Sequence, residues 1–124
     1  MILIVDDDPI AGEISQAFLE AAGHETTLVE SVALAKLRIA GEPAVDLVVS
    51  DHHMPGASGI ELFEALRATG SGLPFVLLSG DDPETLRSLA PGIDAFVAKD
   101  EALGTELPAT VSRLLSGEPG GSPT

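Results

Sequence analysis

The sequence predicts an α/β fold in which five parallel strands form a single sheet with helices on both faces. Apolar runs alternate five times with segments of helical periodicity, which is typical of repeated strand–helix units. These runs are nearly continuous, as expected of strands that are buried on both faces of a sheet. The chain of 124 residues is long enough to bury one core and too short for a second domain.

Each predicted strand is an apolar run bounded by turn residues. The five runs are Ile2–Val5, His24–Val29, Val45–Ser50, Pro74–Ser79 and Ile93–Ala98. Five strand–helix units in one small domain fit the flavodoxin-like, doubly wound order 2-1-3-4-5. In this order the first and third strands flank the switch point of the sheet, where ligands and chemistry are usually found.

Helix signals occupy the segments between these strands. The first predicted helix has Asp8 as its N-cap and Pro9 at its first position, where the missing N–H group has no partner to lose. Apolar residues at helical spacing mark the first two helices: Ile10, Ile14, Ala17, Phe18 and Ala21, then Ala33, Leu34 and Leu37.

The last three helices have their own start signals. Ser58 and Glu61 have the spacing of a capping box at the start of the third helix, and Asp82-Pro83 starts a short fourth one. Pro108 is tolerated in the fifth helix if Thr105 is the N-cap, because first-turn N–H groups lack partners within a helix.

The composition restricts the classes of function. The formal net charge is −14, from 20 acidic and 6 basic residues, so direct binding to nucleic acid or to an anionic membrane is not expected. The chain has no Cys, which excludes disulfides and thiolate chemistry. No signal peptide and no apolar run of the ~18–20 residues that a membrane span needs is seen, so a soluble cytoplasmic protein is predicted. The predicted domain covers residues 1–115, and residues 116–124 are expected to form a flexible tail or linker stub.

Acidic residues follow the first and third predicted strands. Asp6, Asp7 and Asp8 follow the first strand and Asp51 follows the third, so these carboxylates converge if the two strands are neighbours. Carboxylates in one crevice repel each other unless a cation or raised pKa values relieve them. An oxygen-only site favours Mg²⁺, or Mn²⁺, over Zn²⁺. Asp8 is assigned to capping of the first helix in preference to metal binding.

Polar side chains are also found at the ends of the fourth and fifth strands. Ser79 ends the fourth strand, and Lys99 comes directly after the fifth. A carboxylate nucleophile, a divalent cation, a lysine and a hydroxyl together can accept a phosphoryl group, because the positive charges neutralise its oxygens while the carboxylate attacks. The sequence therefore predicts such a site at this edge of the sheet, with Asp51 as the principal candidate.

The order and spacing of these segments resemble those of the receiver domains of two-component response regulators, over residues 1 to about 115. The matching segments are Ile2–Pro9, Asp51–Gly59, Leu77–Gly80 and Phe96–Lys99. The resemblance implies that Asp51 receives a phosphoryl group from a phosphohistidine on a sensor histidine kinase or a histidine phosphotransfer protein. It also implies a signalling domain, not an enzyme, whose only chemistry is its own phosphorylation and dephosphorylation.

The same resemblance assigns a ligand set. Mg²⁺ is expected to be held by the carboxylates of Asp6, Asp7 and Asp51 and by the backbone carbonyl of His53. Lys99 is expected to pair with the phosphate. These assignments are carried over from the family's pattern onto the matching positions of this chain.

A conformational switch is implied as well. Ser79 is expected to move toward the phosphate as the switch hydroxyl while Phe96, the aromatic switch residue, turns inward. This movement would remodel the face built from the fourth helix, the fifth strand and the fifth helix. That face would then bind a downstream protein target or a second copy of the chain as a homodimer.

Three positions depart from the family's pattern or tune it. Asp100 follows Lys99 where the family usually has Pro, often after a cis peptide bond. A non-proline cis bond costs about 3–4 kcal/mol, so we expect either a strained turn or a trans Lys99–Asp100 bond that holds Lys99 more loosely. His53 and Asp81 occupy positions that tune the lifetime of the aspartyl phosphate in receiver domains. The charge state of His53, which changes near neutral pH, is expected to alter that lifetime.

Three other interpretations compete. A phosphatase of the haloacid dehalogenase type would use Asp6 as nucleophile and Asp8 as acid/base, but it leaves Asp51–Gly59 unexplained. An electron-transfer flavodoxin would need a phosphate-binding loop after the first strand and aromatic residues to stack on a flavin, and the sequence shows neither. A pseudo-receiver, which binds partners without phosphorylation, would not need the acidic residues, Ser79 and Lys99 that are present here.

Overall fold

The computed structural model describes residues 1–54 and 56–116 of the chain. Its strands are β1 (Ile2–Val5), β2 (Thr26–Val29), β3 (Leu47–Asp51), β4 (Phe75–Ser79) and β5 (Ala95–Ala98). They form one parallel sheet in the order β2-β1-β3-β4-β5. The predicted α/β fold, with the flavodoxin-like strand order 2-1-3-4-5, is therefore confirmed.

Helices alternate with the strands along the chain. They are α1 (Pro9–Ala21), α2 (Val32–Ile39), α3 (Gly59–Ala68), α4 (Pro83–Leu89) and α5 (Leu103–Leu115). The first two helices follow β1 and the edge strand β2, and from β3 onward the strands are added toward the other edge of the sheet. This reversal places the carboxyl ends of β1 and β3 side by side at the switch point.

The sheet separates two buried clusters, because successive strand residues point to opposite faces. The first, the α2–α4 core, combines Ala35, Leu62 and Leu86 from the three helices on that side with strand residues such as Leu77. Consistent with the low aromatic content of the chain, most of its members are aliphatic.

The second cluster, the α1/α5 core, lies on the opposite face. It combines Leu19 of α1 with Leu107 and Val111 of α5, and with strand residues such as Leu78. Together the two cores cover both faces of the sheet, which explains why β1, β3 and β4 are buried at every position rather than at alternate ones.

Three helix starts agree with the sequence analysis. The Asp8 carboxylate accepts hydrogen bonds from the N–H groups of Ile10 and Ala11, at 3.0 and 3.4 Å, so Asp8 is the N-cap of α1. Ser58 and Glu61 form the predicted capping box of α3, and Asp82 caps α4. These caps satisfy N–H groups that have no partner within the helix.

Four predicted strands have different limits in the structure. Three begin one or two residues later than predicted, and β3 begins two residues later and ends one residue later, so that Asp51 is its last residue. The residues before β3 and β5 are used in loop contacts instead. Asp46 contacts the N-terminal amine, and the Asp94 carboxylate accepts a hydrogen bond from the N–H of Phe75 at 2.8 Å.

The buried face of α1 is not the apolar one marked in the sequence. Ile10 and Ile14 are 69% and 46% exposed, whereas Gly12, Ser15 and Leu19 face the protein interior. The reason is close packing: a Cβ atom at Gly12 would lie 2.6 Å from Cδ1 of Leu28. The helix approaches β2 closely at Gly12, and the large apolar side chains of Ile10 and Ile14 are exposed to solvent.

The expectation for α2 is corrected in the same way. Leu34 and Leu37 are 47% and 71% exposed, and Ala35 is the residue of this helix that is buried. A small side chain again lies at the helix–sheet contact. Apolar periodicity alone therefore identified these two helices but assigned the wrong face to each.

The predicted N-cap of α5, Thr105, is wrong. The helix begins at Leu103, because the Asp100 carboxylate accepts a hydrogen bond from the N–H of Ala102 at 2.9 Å and starts the turn earlier. Pro108 consequently lies inside the helix. The predicted tail lies outside the described residues except for Ser116, which caps α5. Within the described ranges no helix combines the length and apolar character that crossing a membrane requires.

Candidate functional site

The site lies at the carboxyl ends of β1 and β3. Val5 pairs with Ser50 in the parallel register, so the residues that follow each of them come together at the same edge of the sheet. One carboxylate oxygen from each of Asp6, Asp7 and Asp51 lies within 4.8 Å of the other two. Asp6 and Asp51 are buried, at 1% and 7% exposure.

The surroundings of Asp6 favour its neutral form. Burial raises the pKa of this carboxyl above its ordinary value of 3.8, and the nearby charge of Asp51 adds to the increase. A hydrogen bond from the N–H of Asp8, at 2.9 Å, and the charge of Lys99 oppose the increase without cancelling it. An added cation would relieve the same repulsion.

The three carboxylates fit a divalent cation. The cluster offers only oxygen atoms, and hard cations such as Mg²⁺ and Mn²⁺ prefer such ligands. A bound cation would offset the repulsion between Asp6 and Asp51, which adds to the effect of burial in raising the pKa of Asp6. Asp6, Asp7 and Asp51 are therefore the side chains here that can hold Mg²⁺.

Lys99, directly after β5, contacts two of these carboxylates. Its Nζ atom lies 2.9 Å from Oδ1 of Asp51 and 3.3 Å from Oδ2 of Asp6. Burial by itself would lower the pKa of Lys99, but the contacts with Asp51 and Asp6 outweigh it and raise the pKa. Lys99 is therefore a fixed positive charge beside the buried end of Asp51.

The residue after Lys99 does not loosen it. The Lys99–Asp100 bond is trans, since the cis bond in the described chain is Glu42–Pro43. The backbone N–H of Lys99 donates to the Ser79 carbonyl at 3.0 Å, which ties the start of this turn to β4. Of the two expectations for this turn, a strained cis bond and a trans bond, the structure has the trans bond, and the contacts of the Lys99 ammonium group with Asp51 and Asp6 hold that group in place.

Ser79 and Phe96 lie next to this cluster in different environments. Ser79 is 2% exposed, and its Oγ atom accepts a hydrogen bond from the N–H of Asp81 at 2.9 Å. Phe96 is half-buried on β5, and the guanidinium carbon of Arg87 lies 5.3 Å from its ring centroid. The Ser79 hydroxyl is thus engaged by the loop that follows β4, and the Phe96 ring packs against the Arg87 side chain of α4.

Gly59 allows the loop after Asp51 to fold back over the site. Its N–H donates to the His52 carbonyl at 3.0 Å. A Cβ atom at this position would lie 2.5 Å from the Asp51 carbonyl oxygen and 2.6 Å from Cδ1 of Leu77. A larger residue would therefore push α3 away from the strand end that carries Asp51.

The loops after β3 and β4 also join side chains that the sequence analysis treated separately. His53 and Asp81, assigned there as two independent tuning positions, are in contact at 2.5 Å between Nε2 and Oδ2. The ring of His52 packs against that of His53, with centroids 4.6 Å apart, and burial lowers the pKa of His52. His24, by contrast, is remote and lies 3.3 Å from the hydroxyl of Ser112.

No signal in the sequence pointed to this His52, His53 and Asp81 cluster, because its members come from two loops 28 residues apart. The turn that the Asp100 carboxylate forms before α5 was missed for a different reason. Its position was judged only by the absence of Pro, although an Asp two residues before an N–H group is a common turn former.

Known proteins share both the sequence pattern and the fold. The profile of the response regulator receiver domain family matches residues 2–110. The chain is 37% identical over 102 residues to the DNA-binding response regulator MtrA of Mycolicibacterium smegmatis, and 34% identical over 118 residues to the phosphate regulon transcriptional regulatory protein PhoB of Rhizobium meliloti. These matches cover 79% and 92% of this chain but 43% and 51% of the relatives, so the chain spans about half of their length or less.

A solved structure supports the same grouping. The response regulator protein TrrA of Thermotoga maritima, in complex with Mg²⁺-BeF, superposes with a TM-score of 0.80 at 29% sequence identity, over 91% of this chain and 96% of that one. The strand order, the cluster at the sheet edge and the profile match lead to one assignment. The chain belongs to the response regulator receiver domain family of two-component signalling.

Proposed function

We propose that this domain accepts a phosphoryl group on Asp51 and passes the signal on by changing its protein contacts. The donor is a phosphohistidine on a sensor histidine kinase or a histidine phosphotransfer protein, and the reaction takes place in the cytoplasm. The observation that carries the proposal is the geometry around Asp51: a buried carboxylate with two further carboxylates and one fixed ammonium group within contact distance.

The transfer is a displacement at phosphorus. A carboxylate oxygen of Asp51 attacks, a P–O bond forms, and the P–N bond to the donor imidazole breaks. The imidazole nitrogen leaves with the electron pair and takes up a proton. The domain itself supplies the nucleophile and the charge around it, so the reaction is its own phosphorylation. Hydrolysis of the acyl phosphate by water then releases inorganic phosphate and restores the Asp51 carboxylate.

Each neighbouring residue has a defined part in this proposal. Lys99, now paired with Asp51 and Asp6, moves its ammonium contact to the incoming phosphoryl oxygens. Asp6, Asp7 and Asp51, with the His53 backbone carbonyl, hold Mg²⁺ or Mn²⁺. When bound, the cation supplies further neutralisation of charge on the phosphoryl oxygens.

The donor can dock beside the site on α1. This helix begins directly after the acidic cluster, and its Ile10 and Ile14 side chains are exposed to solvent. Apolar side chains at successive turns suit the side of a partner helix. The strongly acidic remainder of the surface favours a partner with basic residues around that contact.

The output is proposed to use Ser79 and Phe96. A phosphoryl group on Asp51 attracts the Ser79 hydroxyl away from the Asp81 N–H, and the space this leaves favours an inward position of Phe96. Movement of Phe96 breaks its contact with Arg87 and so changes the face formed by α4, β5 and α5. That face binds a downstream protein or a second copy of the domain.

Intact-mass measurement with a small phosphodonor tests the proposal. Purified domain is incubated with phosphoramidate and Mg²⁺, beside Asp51→Asn and the matched control Asp46→Asn at the opposite end of β3. One added phosphoryl group is expected in the wild type and in Asp46→Asn, only when Mg²⁺ is present, and none in Asp51→Asn. Phosphorylation lost only in Asp6→Asn would support the phosphatase interpretation, and none in the folded wild type would support a pseudo-receiver.

A further inference from the structure

Two histidines and a carboxylate form a second cluster at the mouth of the site. One ligand atom from each of His52, His53 and Asp81 lies within 4.8 Å of the other two. The side chains of His53 and Asp81 are 67% and 52% exposed, so the cluster is open to solvent. Within the described residues, the Nδ1 atom of His52 is buried and has no hydrogen-bond partner.

The donor set differs in kind from that of the acidic cluster. Two imidazole nitrogens and one carboxylate oxygen suit borderline transition metals such as Zn²⁺, whereas Mg²⁺ prefers oxygen alone. Three protein ligands also leave a coordination position for water, as in open zinc sites. The two clusters at this edge of the sheet therefore offer ligand sets that suit different ions.

Only small adjustments are needed for the cluster to hold an ion. Ligand atoms of a tetrahedral zinc site lie about 3.3 Å apart, which follows from bond lengths of about 2.0–2.1 Å. The present separations, from 2.5 Å for His53 and Asp81 up to the limit of 4.8 Å, bracket that value. Because His53 and Asp81 are exposed, rotation of their side chains can supply the difference.

We propose that His52, His53 and Asp81 form a transition-metal site, with Zn²⁺ as its ion, that links the loops after β3 and β4. His52 follows Asp51 directly in the first loop, and Asp81 lies two residues after Ser79 in the second. A bound ion would hold the two loops together above the phosphoacceptor and slow the entry of a phosphodonor. This second effect rests on the proposed function, whereas the binding of Zn²⁺ does not.

Competition with a chromogenic zinc chelator tests the binding, in buffer that contains saturating Mg²⁺ to occupy the acidic cluster. The wild type is expected to take one Zn²⁺ per chain. His53→Ala and Asp81→Asn are expected to bind at least about tenfold more weakly, which is the lower limit for loss of a group that merely supports a metal ligand. The matched control His24→Ala removes a remote histidine and is expected to bind like the wild type.

Two binding results would overturn the proposal. The first is no uptake by the wild type. The second is uptake that survives in His53→Ala and Asp81→Asn but disappears in Asp7→Asn, because the ion would then occupy the acidic cluster. Circular dichroism of each variant checks that it is folded, and both tested side chains are exposed, so loss of the fold is not expected.

The regulatory effect is measured separately. Zn²⁺ is expected to slow phosphorylation by phosphoramidate in the wild type and to leave the rate in His53→Ala unchanged. An equal decrease in both proteins would refute regulation through this cluster. If neither protein is phosphorylated, the proposed function fails while the binding result still decides the metal site.

Discussion

Replacement of Lys99 by Met should destabilise the fold in the absence of divalent cations. The Nζ atom contacts Asp51 at 2.9 Å and Asp6 at 3.3 Å, and both carboxylates are buried. Removing one partner of a buried charge pair costs about 3–5 kcal/mol, because the other charge is left without compensation. The Lys99 side chain is 27% exposed, so solvent screens it partly, and a loss near the lower limit of about 3 kcal/mol is expected.

Urea denaturation of the two proteins in buffer with EDTA measures this loss, and Lys36→Met is the matched control. Lys36 is an exposed residue of α2, so its replacement is expected to change the stability little. Saturating Mg²⁺ should then stabilise Lys99→Met more than the wild type, because the ion supplies the missing positive charge and binds without competition from the ammonium group.

The reasoning is refuted if Lys99→Met and the wild type have the same urea midpoint in EDTA. It is refuted equally if Mg²⁺ stabilises both proteins by the same amount, since the ion and the ammonium group would then not share the carboxylates. A loss of the same size in Lys36→Met would show that the lysine side chain, and not its place between two carboxylates, is responsible.

Three further outcomes follow from the structure. Asp6→Asn should be more stable than the wild type at pH 7 without Mg²⁺, because the pKa of Asp6 is raised above 3.8 in the folded state: the contribution of Asp6 to stability is favourable below pH 3.8 and is lost as the pH rises through the folded pKa. The difference in urea midpoint between the two proteins should therefore grow from pH 4 to pH 7, and a constant difference would contradict this. Gly59→Ala should destabilise the domain by about 2 kcal/mol through overpacking and reduce phosphorylation of Asp51, whereas Gly72→Ala, which has open space around it, should do neither. Ser58→Ala should lower the free energy of unfolding by about 1 kcal/mol through loss of the α3 capping box, and an unchanged thermal midpoint would argue against that role.

The fold was predictable because its central strands are nearly continuous apolar runs. Residues 2–5 and 75–78 are apolar throughout, so an amphipathic helix is not an alternative there. The cap residues Asp8, Ser58 and Asp82 mark the helix starts by local chemistry. The faces of α1 and α2 were not predictable in this way. Close packing selected small residues such as Gly12 and Ala35 for the sheet contact, and periodicity gives weight to large side chains instead.

The candidate site shows the same division. Asp6, Asp7, Asp51 and Lys99 could be placed together from the sequence because each lies at the end of a strand, and the topology fixes where strand ends meet. The contact between His53 and Asp81 depends on the path of two loops and on side-chain rotation. Neither quantity is encoded in a periodic pattern, so this pair became visible only in three dimensions.

The sheet divides the interior, so neighbouring residues of one strand pack in different cores. Leu77 lies in the α2–α4 core and Leu78 in the α1/α5 core. Ser79, one pleat beyond Leu77, points to the side on which Phe96 is packed. A change of side-chain volume at Leu77 therefore acts first on the core beside Ser79 and Phe96, whereas the same change at Leu78 acts first on the contacts with α1 and α5. Two adjacent positions of one strand thus transmit a substitution to opposite layers of the domain.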